Sequence, residues 1–321
     1  MKSFEYAAPS TLKEATALLG DTWGKTEIMA GGTDLVTALK QRITQPDRVV
    51  SLRNIKELKG VSTERSGIRV GAMTTLGELA GNKDVRKHFP SLITAVEGIG
   101  SAQLLSTGTA GGDLCQRPRC WYYRNGFGLL AQQGGASLAR EGDNRYHAIF
   151  GTDGPALFVS ASSLGPAFIA LGATVSIVSA GGTRSVEAAA FFRAPANDKE
   201  RETVLKPGEI VKDITIPVKG LRNATYEVRH RHGLDWPYVT ASVAVPGAGA
   251  ASNGTVVLGH VAPTPWVAKA ALGALKGPIN ESSAAECGER AAQGAKPLSG
   301  NAYKVQMVKT AVKRALLAAI A

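Results

Sequence analysis

Two short glycine-containing stretches carry the residue types best suited to holding an anionic group. The first runs from Ile28 to Leu35 with the sequence Ile-Met-Ala-Gly-Gly-Thr-Asp-Leu. Its order of apolar, glycine and acidic residues predicts a strand that ends in a tight loop before a helix. Glycine adopts positive φ and lets a ligand approach the backbone, and successive N–H groups in such a loop can bind a phosphate or pyrophosphate. For one such stretch alone, a plain turn is the commoner explanation.

The second stretch repeats the chemistry of the first. It runs from Thr107 to Leu114 as Thr-Gly-Thr-Ala-Gly-Gly-Asp-Leu. Two separated loops of the same kind could hold two sides of one diphosphate. Thr74 lies at another predicted strand-to-helix turn, where its hydroxyl could also meet a ligand. Thr75 and Glu78 have the spacing of a helix capping box, and we assign Glu78 to that structural role.

The segment from 115 to 150 is irregular and contains two of the three cysteines. A loop of this length inside a domain is usually functional. Cys115 and Cys120 are candidate metal or cluster ligands, with His147 as a third at best. Because a zinc or iron–sulfur site needs four ligands, free thiols are the simpler interpretation.

The composition excludes several classes of protein. The 321 residues suffice for two or three domains, and 44% hydrophobic with 20% charged residues is typical of a globular protein. The net charge of +11 permits an acidic partner or an anionic ligand. The basic residues are scattered, with the densest run at 229–232, so we expect no nucleic acid partner. We also expect no membrane span, no signal peptide and a reducing compartment.

The pattern of apolar residues and turn signals predicts alternating helices and strands. A βαβαβ-like unit of helix 10–19 and strands 27–30 and 47–52 comes first. Further predicted elements are a turn at 55–58, strand 67–72, helix 91–100, a helix and strand over 163–180, a short helix at 186–192 and strand 210–217. After a boundary at Lys219-Gly220 we predict strand segments at 224–229, 235–238, 241–245 and 255–261, and a terminal helix at about 302–320.

Several stretches, in order along nearly the whole chain, resemble the FAD-binding medium subunit of the molybdenum hydroxylases. This family includes xanthine dehydrogenase, carbon monoxide dehydrogenase and aldehyde oxidoreductase. The matching stretches are 30–35, 71–75, 103–114, 116–122, 144–148, 207–211, 235–237, 262–266 and 294–301.

The resemblance implies an α+β protein with a PCMH-type FAD-binding fold of two α/β lobes, followed by a C-terminal α+β domain of the carbon monoxide dehydrogenase flavoprotein type. We expect the FAD-binding domain at 1–219, with lobes at about 1–57 and 58–219, and the C-terminal domain at 220–321. The implied cofactor-binding residues are Ile28, Met29, Ala30, Gly31, Gly32, Thr33, Asp34, Leu35, Thr74, Thr109, Gly111, Gly112, Asp113, Ser163 and Glu227.

Four departures from the family pattern bear on the cofactors. Ser162-Ser163 stands where Ser-Asp is usual, Glu227 where Lys is usual, and Leu105-Ser106 where Arg-Asn is usual. These changes bear on FAD affinity and redox poise. The loop around 116–121 resembles the branch of the family that holds a [4Fe–4S] cluster on four cysteines. Only Cys120 falls on a ligand position here, so we expect no such cluster.

The resemblance implies an electron-transfer subunit of a heterotrimeric oxidoreductase. A molybdopterin-binding large subunit would oxidise the substrate, a [2Fe–2S] small subunit would relay electrons, and FAD on this chain would pass them to an acceptor. No side chain is expected to act as a catalytic acid or base. A flavin-poor structural adaptor of the same complex and a free-standing FAD oxidase remain as alternatives. We expect a cytoplasmic protein, or a periplasmic one if a partner carries the export signal.

Overall fold

The computed structural model describes residues 1–231, 233, 235–247, 253–275 and 277–321. Its helices are α1 Leu12–Leu18, α2 Leu35–Lys40, α3 Leu76–Gly81, α4 Lys83–His88, α5 Pro90–Glu97, α6 Ala102–Thr107, α7 Ala110–Cys115, α8 Trp121–Arg124, α9 Leu138–Glu141, α10 Gly165–Ala170, α11 Ala188–Phe191, α12 Glu281–Ala291 and α13 Tyr303–Ile320. Its strands are β1 Glu5–Ala7, β2 Thr26–Met29, β3 Arg48–Ser51, β4 Val61–Glu64, β5 Gly67–Gly71, β6 Gln132–Gln133, β7 Ala136–Ser137, β8 Thr174–Ser179, β9 Gly182–Glu187, β10 Ile210–Ile216, β11 Arg222–Val228, β12 Val239–Val245, β13 Thr255–Gly259 and β14 Trp266–Val267.

The first lobe is a three-stranded parallel sheet in the order β1-β3-β2. With α1 and α2 as the crossover helices, it is the predicted βαβαβ unit. Thr11 caps α1 by accepting a hydrogen bond from the Glu14 N–H at 3.2 Å. The Glu14 carboxylate turns to the Ser10 N–H instead of returning to Thr11. The first glycine stretch leaves the sheet at the carboxyl end of β2, where ligands commonly bind in parallel sheets.

The second lobe is built on a five-stranded antiparallel sheet in the order β4-β5-β10-β8-β9. β10 lies at its centre and was predicted, whereas β4 and β9 on its two edges were not. The edge strands are exposed and polar, so they lack the apolar alternation that marks a buried strand. The capping box on α3 is complete, since Thr75 and Glu78 each accept a hydrogen bond from the other's backbone N–H.

The C-terminal part contains a four-stranded antiparallel sheet in the order β11-β12-β13-β14, on which α13 packs, and α12 packs against α13. Helix α13 buries Val308, Val312 and Leu316 against the sheet, as predicted. The predicted strand segment at 235–238 is wrong, because this segment is irregular. Pro237 has no N–H to contribute to a strand ladder. His232, in the basic run at 229–232, lies outside the described residues.

The segment from 115 to 150 has short elements of its own. It contains α8, the β6–β7 hairpin and α9, with Tyr123, Leu129 and Leu130 in a small apolar cluster with Phe158. Within the described residues, no helix combines the length and hydropathy needed to cross a membrane.

Candidate functional site

A cavity of about 580 Å³ lies where the two lobes and the C-terminal part meet. Twelve of the fifteen residues predicted from the sequence line this cavity, namely Ile28, Ala30, Gly31, Gly32, Thr33, Asp34, Leu35, Thr109, Gly111, Gly112, Asp113 and Ser163. The other three, Met29, Thr74 and Glu227, are not among the described residues that line it. The fold therefore brings both glycine stretches to one wall.

The first glycine stretch offers unused backbone donors to the cavity. Gly32 has φ +78°, a conformation that favours glycine, and α2 begins three residues later. The N–H groups of the four residues 31–34 have no hydrogen-bond partner among the described residues. Since the stretch is half-buried at the cavity wall, these four N–H groups are available to an anion.

The second glycine stretch was also expected to offer backbone N–H groups to an anion. The N–H groups of Gly111 and Gly112 instead donate hydrogen bonds within the protein. Gly111 and Gly112 form the first turn of α7, and Thr109 is the N-cap. The Gly112 N–H donates to Thr109 Oγ1 at 3.1 Å, and the Gly111 N–H donates to the carbonyl oxygen of Ala72 at 2.9 Å. This stretch therefore supplies a tightly packed surface, while the first supplies free donors.

Gly31 and Gly111, one in each stretch, lie where a side chain would meet a neighbouring part of the chain. A Cβ on Gly31 would lie 1.7 Å from the backbone oxygen of Thr107. A Cβ on Gly111 would lie 2.7 Å from the Cβ of Ala72. Separations this short cannot be relieved without moving the backbone, so Gly31 allows the close approach of the two stretches, and Gly111 allows α7 to pack against Ala72 at the end of β5.

Asp34 joins the first stretch to the segment that follows the second. Its carboxylate accepts hydrogen bonds from the Arg117 N–H at 2.8 Å, from Arg124 Nη2 at 2.9 Å and from Arg119. Burial acts to raise the pKa of Asp34, but the charges of Arg119 and Arg124 and these hydrogen bonds outweigh it and hold the pKa below its usual value. Asp34 is therefore an ionised, neutralised group in the cavity wall.

The carboxylate of Asp113 accepts hydrogen bonds from the residues just before helix α10. Its carboxylate accepts from Ser162 Oγ at 2.6 Å, from the Leu164 N–H at 2.9 Å and from the Ser163 N–H at 3.2 Å. Gln116 Nε2 donates to it as well, at 2.9 Å. Burial raises the pKa of Asp113, although the hydrogen bonds from 162–164 act in the opposite direction. Asp113 thus holds the chain segment before α10, with Ser163, against α7.

Glu227 does not place a free anion in the cavity. Its carboxylate pairs with Arg229, at 2.9 Å from Nε and 2.5 Å from Nη2, and both side chains are almost buried. Burial raises the pKa of Glu227, and the Arg229 charge partly offsets this effect. Arg229 lines the cavity, so a cation remains on this wall although the usual lysine position carries Glu227.

Thr74 and Met29 do not line the cavity but pack against residues that do. The Thr74 side chain is fully buried, and its hydroxyl donates to the carbonyl oxygen of Gly60 at 2.9 Å. Its own carbonyl accepts from the Ala110 N–H at the start of α7. The expectation of a hydroxyl free for a ligand is therefore not met. The Met29 sulfur packs beneath Gly32, 3.5 Å from where a Cβ would lie.

Sequence reasoning missed most of the charged groups in the cavity wall. Arg117 pairs with Glu202 at 2.9 Å, and Arg201 pairs with Glu27 at 3.4 Å and lies over the ring of Trp23. Burial raises the pKa of Glu202, with Arg117 acting against it. These pairs join positions up to 174 residues apart. Among these groups, only the arginines at 117 and 119 lie within a stretch that matched the family pattern, 116–122.

Cys115 and Cys120 line two different cavities. Cys115 lines the cavity described above, and burial raises the pKa of its thiol to about 12. Cys120 lines a second cavity, and its Sγ lies 3.2 Å from His147 Nε2. Across the described residues, no three His, Cys, Asp or Glu side chains are arranged to hold a metal ion.

Comparisons with known proteins identify the family. Residues 2–219 match the model of the FAD binding domain in molybdopterin dehydrogenase, and residues 224–319 match that of the CO dehydrogenase flavoprotein C-terminal domain. The chain is 31% identical to the aldehyde oxidoreductase FAD-binding subunit PaoB of Escherichia coli strain K12, over 84% of this chain and 85% of the relative. It is 29% identical to the carbon monoxide dehydrogenase medium chain of Hydrogenophaga pseudoflava, over 98% and 96%.

Solved structures agree. The fold matches a chain of quinoline 2-oxidoreductase from Pseudomonas putida 86 with a TM-score of 0.78 and 26% identity, covering 100% of this chain and 98% of that one. It matches a chain of the carbon monoxide dehydrogenase of Hydrogenophaga pseudoflava with a TM-score of 0.76 and 27% identity, covering 98% and 96%. The predicted resemblance and fold class are confirmed. This chain belongs to the family of FAD-binding domains of the molybdopterin dehydrogenases, with a C-terminal domain of the CO dehydrogenase flavoprotein type.

Proposed function

We propose that this chain is the FAD-binding, electron-transferring subunit of a heteromeric molybdenum hydroxylase. One observation carries the proposal. A large cavity in a chain of this family has, on one wall, four successive backbone N–H groups with no partner among the described residues. A pyrophosphate needs donors of this kind, and these four N–H groups belong to residues that line the cavity.

The residues of the cavity fit the charge of FAD. The first glycine stretch would bind the pyrophosphate, and the second would hold the first in place through the Gly31–Thr107 contact. Asp34 would not repel the phosphates, because Arg119 and Arg124 neutralise its carboxylate. Glu227 would not repel the flavin, because Arg229 neutralises it. The departure at 163 therefore places a neutral serine on the cavity wall, and the departure at 227 places beside the cavity a carboxylate that is paired with Arg229.

The chain's own residues have a binding role. When bound, FAD supplies the redox chemistry, and the protein supplies its position and its electrostatic environment. The side chains would exclude water and fix the cofactor between the lobes and the C-terminal part. We assign no catalytic acid or base.

The partners follow from the names of the relatives. The relatives are named as a FAD-binding subunit of an aldehyde oxidoreductase and as a medium chain of a carbon monoxide dehydrogenase, and both names imply further subunits. We propose a molybdopterin-binding large subunit and a [2Fe–2S] small subunit as the electron source, and an acceptor that FAD reduces. We further propose a FAD-binding domain at 1–219 with lobes at 1–57 and 58–219, a C-terminal domain at 220–321, and a cytoplasmic location.

A visible absorption spectrum of the purified chain tests the proposal, with the released chromophore identified by chromatography. We expect FAD in nearly equal molar amount to protein. Copurification of two partner chains distinguishes the subunit from a free-standing FAD oxidase. A chain that copurifies with its partners but remains colourless after coexpression and FAD supply would instead be a structural adaptor.

A further inference from the structure

A hairpin between α11 and β10 forms part of the wall of the proposed FAD cavity. Residues 192–203 fold back on themselves, because Phe192 pairs with Thr203 and the Arg193 N–H donates to the carbonyl oxygen of Glu202 at 2.8 Å. The residues of the returning arm line the cavity, namely Arg201, Glu202 and Thr203. This 192–203 hairpin therefore closes one side of the cavity although it belongs to none of the sheets.

The hairpin is attached to the first lobe through Arg201. Its Nη2 lies 3.4 Å from Glu27 Oε1, and its guanidinium carbon lies 4.8 Å from the ring centroid of Trp23. Trp23 and Glu27 line the same cavity from the first lobe. Within the ranges that the structure describes, every hydrogen bond or ion pair between the hairpin and the first lobe comes from Arg201. We call Arg201, Trp23 and Glu27 the latch.

The latch is a weak attachment. The side chains of Arg201 and Glu27 are only 18% and 20% exposed, and their separation exceeds the roughly 2.8 Å of a good charge-assisted hydrogen bond. Burial raises the pKa of Glu27, although the charge of Arg117 acts in the opposite direction. A mostly buried ion pair with imperfect geometry recovers little more than its desolvation cost. The latch can therefore open locally while the lobes remain folded.

The attachment on the other side of the hairpin is firmer. Glu202 pairs with Arg117 at 2.9 Å, and Asp198 Oδ1 accepts a hydrogen bond from the Leu130 N–H at 2.9 Å. Both contacts join the hairpin to the segment from 115 to 150. Glu202 also lies close enough to Cys115 for its charge to contribute to the raised pKa of that thiol. The hairpin is thus held well on one side and poorly on the side of the first lobe, as expected of a gate.

We propose that the 192–203 hairpin is the gate for cofactor entry, and that it opens when Arg201 separates from Trp23 and Glu27. The inference rests on the proposed function, because it concerns how FAD reaches its cavity. A cofactor held between two lobes has to pass between them, and the hairpin crosses that gap. The latch sets how often the cavity is open, so it controls the rates of binding and release more than the affinity.

Stopped-flow fluorescence of FAD with the flavin-free full chain tests the gate. Arg201→Ala and Trp23→Leu should each raise both the association and the dissociation rate constant, by about tenfold, because a stacked cation contributes on that scale. Kd should change little, since both rates depend on the same open population. Lys199→Ala removes a cation from the exposed tip of the hairpin, away from the latch, and should leave both rates unchanged.

Two kinetic results would overturn the gate. The first is faster dissociation alone with an equal rise in Kd, which would make Arg201 a contact of the cofactor. The second is wild-type rates in folded Arg201→Ala and Trp23→Leu proteins. Arg201→Lys keeps the charge but loses the planar stack, so it should give intermediate rates and decides the matter if Arg201→Ala does not fold.

A readout without cofactor separates this inference from the proposed function. Cys115 lines the cavity beside Glu202, so a neutral thiol reagent should label it several-fold faster in the flavin-free Arg201→Ala chain than in wild type. Cys287, buried in the C-terminal part, is the internal reference and should not change. Unaltered Cys115 labelling in the folded variant, with normal FAD uptake by wild type, would overturn the gate alone. A wild-type chain that takes up no FAD would instead overturn the proposed function, whatever the labelling.

Discussion

Gly31 and Thr107 hold the two glycine stretches together, because the Gly31 Cα faces the Thr107 carbonyl where no side chain fits. A Cβ at Gly31 would lie 1.7 Å from the Thr107 oxygen. This contact between positions 76 residues apart in the sequence sets the distance between the first stretch, with its free N–H groups, and the surface formed by α7.

Substitution of Gly31 tests this relationship. Gly31→Ala should push the two stretches apart, lower the free energy of unfolding and abolish FAD retention. Gly81→Ala is the matched control, because its Cβ would enter open space at the end of α3. The control should retain FAD and be unchanged or up to about 1 kcal/mol more stable. Denaturant unfolding and the flavin content of the purified proteins measure both effects, and full FAD retention in Gly31→Ala would contradict this account.

The Glu227–Arg229 pair provides a prediction about stability. Arg229→Met leaves a nearly buried carboxylate without its partner, which should cost about 3–5 kcal/mol. The double variant Glu227→Gln, Arg229→Met removes both charges and should recover most of that loss. Urea unfolding of the two single variants and the double variant measures the coupling. Additive effects of the two substitutions would show that the pair does not act as a unit.

Asp34 provides a prediction about pH. Its folded pKa is below the value of about 3.9 expected for an unfolded chain, so its contribution to stability is complete above that value and is lost as the pH falls through the folded pKa. Asp34→Asn should cost about 3 kcal/mol at pH 7, since Arg119 and Arg124 lose their shared carboxylate. The difference from wild type should remain constant between pH 5 and pH 8 and shrink below pH 4. A difference that does not depend on pH would contradict the ion-pair explanation.

Asp113 provides a prediction that separates structure from binding. Asp113→Ala leaves the N–H groups of Ser163 and Leu164 buried without an acceptor, which should cost at least about 2 kcal/mol. FAD affinity of the folded variant, measured by flavin fluorescence titration, should fall less than tenfold because the carboxylate serves α10 and not the ligand. A stable Asp113→Ala protein that has lost FAD binding would show that Asp113 contacts the cofactor directly.

Local patterns predicted the elements whose signals lie within a few residues. The capping box of Thr75 and Glu78, the buried strand β10 and the long helix α13 all follow from spacing and periodicity alone. The exposed strands β4 and β9 and the alanine-rich helix α12 escaped, because few of their residues are apolar in a regular pattern. The strand predicted at 235–238 is wrong because Pro237 has no N–H for a strand ladder, and Asp235 and Trp236 of this irregular segment line the cavity.

The glycine residues of the site could be predicted, because their spacing in the sequence reflects the backbone geometry of a tight loop. The ion pairs could not, because their partners lie far apart in the sequence. Gly31, Gly32 and their neighbours line the cavity as expected. The sequence showed that Glu227 stands where a lysine is usual, but not that Arg229, just beyond the end of β11, pairs with it. The pairing of Asp34 with Arg119 depends on the path of the segment after α7, which no local pattern determines.

The most direct test of the central claim is the FAD content of the purified chain, compared with that of a Gly32→Val variant. Gly32 has φ +78° in the middle of the free N–H groups, so a β-branched residue would distort the proposed pyrophosphate site. The account predicts nearly one FAD per wild-type chain and almost none in a Gly32→Val protein that is still folded by circular dichroism. A wild-type chain without flavin after FAD supply, or a folded variant with undiminished FAD, would contradict it.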